Sequence, residues 1–160
     1  MIHANVSSNL LHWYAPYLYT GCPQGSSFFL QEVQGRPDIV IDLSAPGAVD
    51  TLKNKPFKIK EGCTYQMKAN FIVQHQILSG LKYVQALKRK GIPVGKDHEM
   101  IGSYAPNTSA TPTYQKKFAA EQAPKGMLAR AHYDAVSRFI DDDGVVHLQF
   151  DWSFDISKDW

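Results

Sequence analysis

The sequence predicts an all-β fold, an antiparallel sandwich, and three observations carry that prediction. Two segments alternate apolar and polar residues. Tyr65, Met67, Ala69, Phe71 and Val73 oppose Thr64, Gln66, Lys68 and Asn70; Leu148, Phe150, Trp152, Phe154 and Ile156 oppose His147, Gln149, Asp151, Ser153 and Asp155. A period of two marks a strand with one face on a core and the other in water, and aromatic and β-branched residues on the inward phase suit a sheet. Turn chemistry recurs at Glu61-Gly62, Lys90-Gly91, Ala105-Pro106-Asn107, Pro124-Lys125-Gly126 and Asp143-Gly144. No long helical period competes, so short strands packing as two sheets are expected.

Taken in order, residues 1–31 contain no Lys, Arg, Asp or Glu, and the first charge is Glu32. The chain is divided there into an uncharged apolar N-terminal segment, 1–31, and a sandwich domain, 32–160. The apolar stretch Leu10–Tyr19 lacks a preceding basic region and is interrupted by His12 and Pro16, which argues against a secretory signal. It is also too short to cross a bilayer. Leu10, Leu11, Trp13, Tyr14, Tyr17, Leu18 and Tyr19 are too apolar to remain in water and are expected to dock on a surface of this protein or a partner. Ala48–Lys53 reads as one short helical turn. Strands follow over the two alternating segments, with a further strand at 127–139 joined to 145–157 by a hairpin at Asp143-Gly144.

Composition excludes several function classes. A chain of 160 residues is one domain with a sizeable core. Lys+Arg 17 against Asp+Glu 15 leaves +2, which is no nucleic-acid footprint. Cys22 and Cys63 have no ligand spacing and read as reduced thiols in a cytoplasmic setting, with a single disulfide as the alternative. The six histidines show no HxH, HxxxH or HExxH spacing, so neither metal nor cofactor is implied. His132 and His147 are read as solvated, or as paired across the hairpin. No GxSxG elbow, P-loop or supported nucleophile is present, which points away from an enzyme. Asp141-Asp142-Asp143 lacks the alternating ligands and distal carboxylate of a calcium loop; a solubilising turn and an acidic docking patch remain open. On the strand at 127–139 the inward phase Met127, Ala129, Ala131, Tyr133, Ala135 holds three alanines. Trp152 opposite is large enough to fill the gap they leave.

The run Gly126-Met127-Leu128-Ala129-Arg130, with Tyr133, Ser137-Arg138-Phe139 and Asp141-Asp142-Asp143, resembles the Rho GDP-dissociation inhibitors. So do Ser79-Gly80-Leu81-Lys82-Tyr83-Val84-Gln85 with Arg89-Lys90-Gly91, Met100-Ile101-Gly102-Ser103-Tyr104-Ala105-Pro106, Lys60-Glu61-Gly62 and Lys158-Asp159-Trp160. The resemblance runs from about Ile39 to the end. It implies an immunoglobulin-like topology and a pocket between the sheets for the geranylgeranyl lipid of a prenylated Rho-family small GTPase. The protein would extract the GTPase from membranes without inserting stably itself and hold it in the GDP state. A general prenyl-cargo shuttle is the alternative.

By the same resemblance Phe57, Tyr65, Ile77, Leu128 and Trp152 fall at apolar pocket positions, with Phe150 replacing a tryptophan. Ala135 stands where mammalian members carry a larger aliphatic residue, which reshapes the pocket, and Glu99 stands for a tyrosine and marks the rim. Asp141, Asp142 and Asp143 match the acidic patch facing the GTPase's basic tail, and Glu121 extends it, although Gln122 departs from the family. Residues 1–31 hold no counterpart of the family's charged helical arm on the GTPase switch regions, so the resemblance supports lipid binding better than inhibition of nucleotide release.

Overall fold

The computed structural model describes residues 11–12, 27–31, 39–43, 48–74 and 76–159. The first sheet is built from β1 (Leu11–His12), β2 (Ser27–Gln31), β3 (Ile39–Asp42), β5 (Thr64–Val73) and β8 (Tyr114–Gln122). The second is built from β4 (Phe57–Lys60), β6 (Leu78–Arg89), β7 (Ile92–Tyr104), β9 (His132–Ile140) and β10 (Val146–Ser157), in the order β4-β10-β9-β6-β7. Among the described residues every pairing is antiparallel except β10 with β4, and the two sheets enclose one core as an immunoglobulin-like sandwich. Helix α1 (Ala48–Leu52) is the expected single turn.

Alternation decides what goes inside. Met67, Ala69, Phe71 and Val73 of β5 are buried, and so are Phe150, Trp152, Phe154 and Ile156 of β10. Ser153, on the opposite phase, is buried as well because α1 lies over it; its hydroxyl donates to the Lys53 carbonyl at 2.8 Å. Between β6 and β7 the chain reverses over Lys90 (φ 50) and Gly91 (φ 78). Positive φ at both central residues is what a two-residue hairpin matching the strand twist needs.

The uncharged N-terminal stretch contributes β1 and β2, both paired with β5, so the charge boundary at Glu32 coincides with the end of a strand. Trp13, Tyr14, Tyr17, Leu18, Tyr19 and Cys22 lie outside the described residues, and Cys63 is a half-buried free thiol.

Two expectations are corrected. The strand expected from residue 127 begins at His132. Gly126 (φ 103) starts a turn in which the Ala129 and Arg130 amides donate back to its carbonyl. Glu61 then fixes that turn, accepting from the Gly126 amide at 2.9 Å and from Arg130 Nε and Nη2 at 2.9 and 2.6 Å. The second correction concerns His147, which is neither solvated nor paired with His132. The β9–β10 register shifts between Val146 and Leu148, leaving His147 as an extra residue. Such a bulge re-aims a side chain: the imidazole, 1% exposed, lies 2.7 Å from Asp141 Oδ2.

Candidate functional site

Two adjoining cavities open between the sheets at the end of the sandwich where β6 turns into β7. The inner one, about 80 Å³, is lined by Ile59, Tyr65, Leu87, Ala123, Pro124, Tyr133, Phe154 and Ile156. Its wall is firm. Tyr133 stacks on Phe154 at 5.1 Å, and the Tyr133 hydroxyl donates to the Ala129 carbonyl at 2.9 Å. The outer cavity, about 230 Å³, is lined by Met67, Tyr83, Gln85, Leu87, Gly95, Lys96, Asp97, His98, Glu99, Phe118 and Glu121. Apolar side chains thus form the inner compartment, while three carboxylates, a lysine and a histidine gather at the mouth.

Hydrogen bonds set the shape of these walls. Tyr65 Oη donates to Glu121 Oε2 at 2.6 Å, joining a residue of the inner cavity to one of the outer. Burial first, then this bond to a carboxylate, pushes the Tyr65 phenol upward, so it remains a neutral donor. Deeper in, Trp152 Nε1 donates to Ser137 Oγ at 2.9 Å, Ser137 lies 2.7 Å from Tyr83 Oη, and Tyr83 Oη donates to Gln85 Oε1 at 2.7 Å. Because the Tyr83 proton goes to Gln85, the Ser137 hydroxyl donates to Tyr83, and every group in this line is satisfied. Burial also raises the Tyr83 phenol.

The seam between β7 and β8 joins the two sheets along the side of the slot. At its far end Tyr104 and Tyr114 approach to 4.7 Å, and Tyr114 Oη donates to the Ala105 carbonyl at 3.1 Å. Nearer the mouth Glu99 Oε2 accepts from the Ala119 amide at 3.1 Å and Oε1 meets Lys116 Nζ at 3.2 Å. Glu99 is therefore at the rim, where it clasps one sheet to the other.

The residues expected around a pocket separate into three groups. Tyr65 lines the inner cavity. Ala135, Phe150 and Trp152 are buried in packed core, with Trp152 directly opposite Ala135 and Phe57 6.2 Å from the Trp152 ring. Trp152 fills the space above the alanine. Ile77 and Leu128 are 72% and 84% exposed, at opposite ends of the molecule; Leu128, with Met127 at 82%, crests the turn held by Glu61 beside the inner cavity.

The acidic residues do not form one patch. The Asp141–Asp143 turn follows Ile140 at one end of β9, and the Asp142 amide donates to the Ser79 carbonyl. Glu121 belongs to the other end: it pairs with Tyr65, and nearby the Gly62 amide donates to Ala123 and the Glu61 amide to Ser157. The nine residues of β9 separate the two sites, roughly 25 Å at strand rise. Asp141 is a structural residue, 5% exposed, accepting from the Val145 amide at 2.8 Å as well as facing His147. Asp142 and Asp143 are exposed. Asp97, which sequence reasoning missed, joins Glu99 and Glu121 at the mouth. His132 meets Asp155 at 2.7 Å, and among the described residues no His, Cys, Asp and Glu group is suited to a metal ion. Nor is any helix there long and apolar enough to cross a membrane.

A β-sandwich with a slot between its sheets and a charged mouth is the architecture of a binding protein. Residues 29–159 match the family described as RHO protein GDP dissociation inhibitor. The Rho GDP-dissociation inhibitor of Schizosaccharomyces pombe is 44% identical over 80% of this chain and 61% of its own. That of Saccharomyces cerevisiae is 46% identical over 75% and 59%, and Rho GDP-dissociation inhibitor 1 of Homo sapiens is 42% identical over 75% and 57%. The chain belongs to the Rho GDP-dissociation inhibitor family, and it spans about three fifths of the length of these curated relatives. Among solved structures, a Niemann-Pick type C2 protein from Japanese carpenter ant aligns at 9% identity and TM-score 0.41 over 62% of this chain and 79% of that one.

Proposed function

We propose that this chain binds the geranylgeranylated C-terminus of a Rho-family small GTPase, withdraws it from membranes, and keeps it in the cytosol in its GDP-bound state. The observation that carries this reading is the pair of adjoining cavities at one end of the sandwich, apolar inside and carboxylate-lined at the mouth. A prenylated C-terminus has the same polarity, an isoprenoid chain ending in a cysteine preceded by basic residues. Burying the chain at about 0.8 kcal/mol per methylene-sized group gives on the order of ten kcal/mol gross, before association costs. That competes with a bilayer and requires no covalent chemistry.

Pockets that enclose a ligand of this size span roughly 300–1,000 Å³, and each cavity is smaller. The tail would therefore enter by parting the sheets. Tyr65 lines its path, Phe57, Ala135, Phe150 and Trp152 form the floor that moves, and Leu128 is the exposed apolar group beside the inner cavity that would fold over it. Ile77 lies at the far end of β6, just ahead of its first residue and away from both cavities. Glu121, with Asp97 and Glu99, receives the basic tail; Asp142 and Asp143 offer a second acidic contact at the far end.

The test is titration with prenylated and unprenylated forms of one Rho-family GTPase, with GDP release measured in the saturated complex. Tight binding that depends on the prenyl group, with slowed GDP release, is expected. Equal affinity for both forms would overturn lipid binding. Prenyl-dependent binding without slower release would make the protein a cargo shuttle.

A further inference from the structure

Between the two cavities stands a divider made from both sheets, and its halves are unequal. From one sheet comes Tyr65, held by its 2.6 Å bond to Glu121. From the other comes Leu87, which alone among the described residues lines both cavities. We propose that Leu87 is the movable partition that sets how long an isoprenoid tail the slot accepts. This rests on the prenyl-binding reading above.

Three observations support it. First, Leu87 pairs directly with Gly95 on β7 and with Ala135 on β9, so both strand neighbours on its row carry little or no side chain. A Cβ built on Gly95 would lie 3.8 Å from Leu87 Cδ1, ordinary contact distance, and Gly95 itself lines the outer cavity, so Leu87 borders open space on that side. Second, a leucine side chain has no polar group to tie it in place, unlike Tyr65 opposite. Two χ1 rotamers, near 180° and −60°, are common on strands, and leucine changes between such wells without moving backbone. Third, the compartments differ in chemistry. Gln85, Asp97 and Glu121 line the outer one, which suits the cysteine end of a tail; Ile59, Phe154 and Ile156 line the inner one, which suits its last isoprene unit. With Leu87 across the divide, a shorter tail is housed in the outer compartment and the sheets close over it. With Leu87 turned fully over Gly95, the compartments merge and a longer tail reaches the inner pocket.

Fluorescent farnesyl- and geranylgeranyl-cysteine peptides of one sequence test the proposal in full-length protein, with thermal melts to confirm folding. Leu87→Ala is expected to raise the preference for the longer tail by roughly tenfold, near the lower end of what apolar bulk confers in a hydrophobic pocket. Leu87→Phe, which fills the divide, is expected to leave farnesyl binding within about twofold while weakening geranylgeranyl binding roughly tenfold. If the unsubstituted protein binds either peptide and both folded variants keep its length ratio, the partition is wrong and the prenyl pocket stands. If it binds neither, the functional reading falls and the partition with it.

Discussion

Ser137 offers the sharpest test of how the interior is held. Its side chain is fully buried, accepts from Trp152 Nε1 at 2.9 Å and donates to Tyr83 Oη at 2.7 Å. Ser137→Ala removes one oxygen and opens almost no volume, so the cost is set by what the neighbours lose. Tyr83 still donates to Gln85, but the Trp152 N–H is left buried without its acceptor. A buried donor stranded in this way costs about 1–3 kcal/mol; we expect about 2 kcal/mol, or roughly 4–8 °C in a domain of this size. Urea unfolding at neutral pH should show a lower midpoint with an unchanged slope, the mark of lost stability in an unaltered native state. The cause is isolated by repeating the change in Trp152→Phe, where no indole N–H exists. There Ser137→Ala should cost about 1 kcal/mol less, a coupling typical of directly bonded pairs. A loss below about 0.5 kcal/mol, the range of surface substitutions, or strict additivity of the two changes would refute the hydrogen-bonded line.

Neutralising the mouth by Asp97→Asn with Glu121→Gln should lower the low-salt association rate of a prenylated GTPase roughly tenfold and flatten its salt dependence, whereas Asp142→Asn with Asp143→Asn should do less; stopped-flow rates across a salt series decide between the sites. Glu99→Ala, which opens the clasp to Ala119 and Lys116, should speed entry of a prenylated peptide several-fold while costing no more than about 1 kcal/mol of stability, as half-exposed ion pairs do; an unchanged entry rate would make the clasp irrelevant to access. The Glu61 carboxyl is held down at about 2, first by its bond to Arg130 and then by the Gly126 amide. For Asp141, burial pushes upward, but the Val145 amide and His147 outweigh it and the net direction is downward. Depressed carboxyls stabilise the fold above their unfolded range and lose that contribution as pH falls through the folded value. Melting temperature should therefore fall between about pH 4.5 and pH 2, less steeply in Glu61→Gln than in the parent.

The periodic parts of this fold were legible because periodicity is local. Residues 65–73 and 148–156 declare their inward faces, and both sheets are laid down accordingly. The start of β9 was not, because the turn at Gly126 depends on a carboxylate sixty-five positions earlier. The bulge that turns His147 inward leaves no trace in composition. Of the residues named from resemblance, Tyr65 lies at the inner cavity and Glu99 at the outer one, while Glu121, expected beside Asp141–Asp143, lies at the outer cavity instead. Leu87 and Asp97 escaped, since alternation says which face a residue takes and not where two sheets leave a gap. The acidic residues looked contiguous because the strand between Glu121 and Asp141 folds back unseen in a one-dimensional reading.

The lip of the slot is formed by β7, and among the described residues this long strand has no second neighbour in its sheet. An exposed strand edge invites pairing with another chain, and the hazard grows whenever the sandwich loosens to admit cargo. The sequence of β7 resists that invitation. Pro93 supplies no amide donor, Gly95 weakens the strand, and Lys96, Asp97 and His98 place polar groups along the stretch nearest the opening. At the opposite border of the sheet β4 is only four residues long and carries Lys58 and Lys60. The doorway is thereby kept from templating a fibril, and the residues that guard it include Asp97, the carboxylate set to greet the cargo.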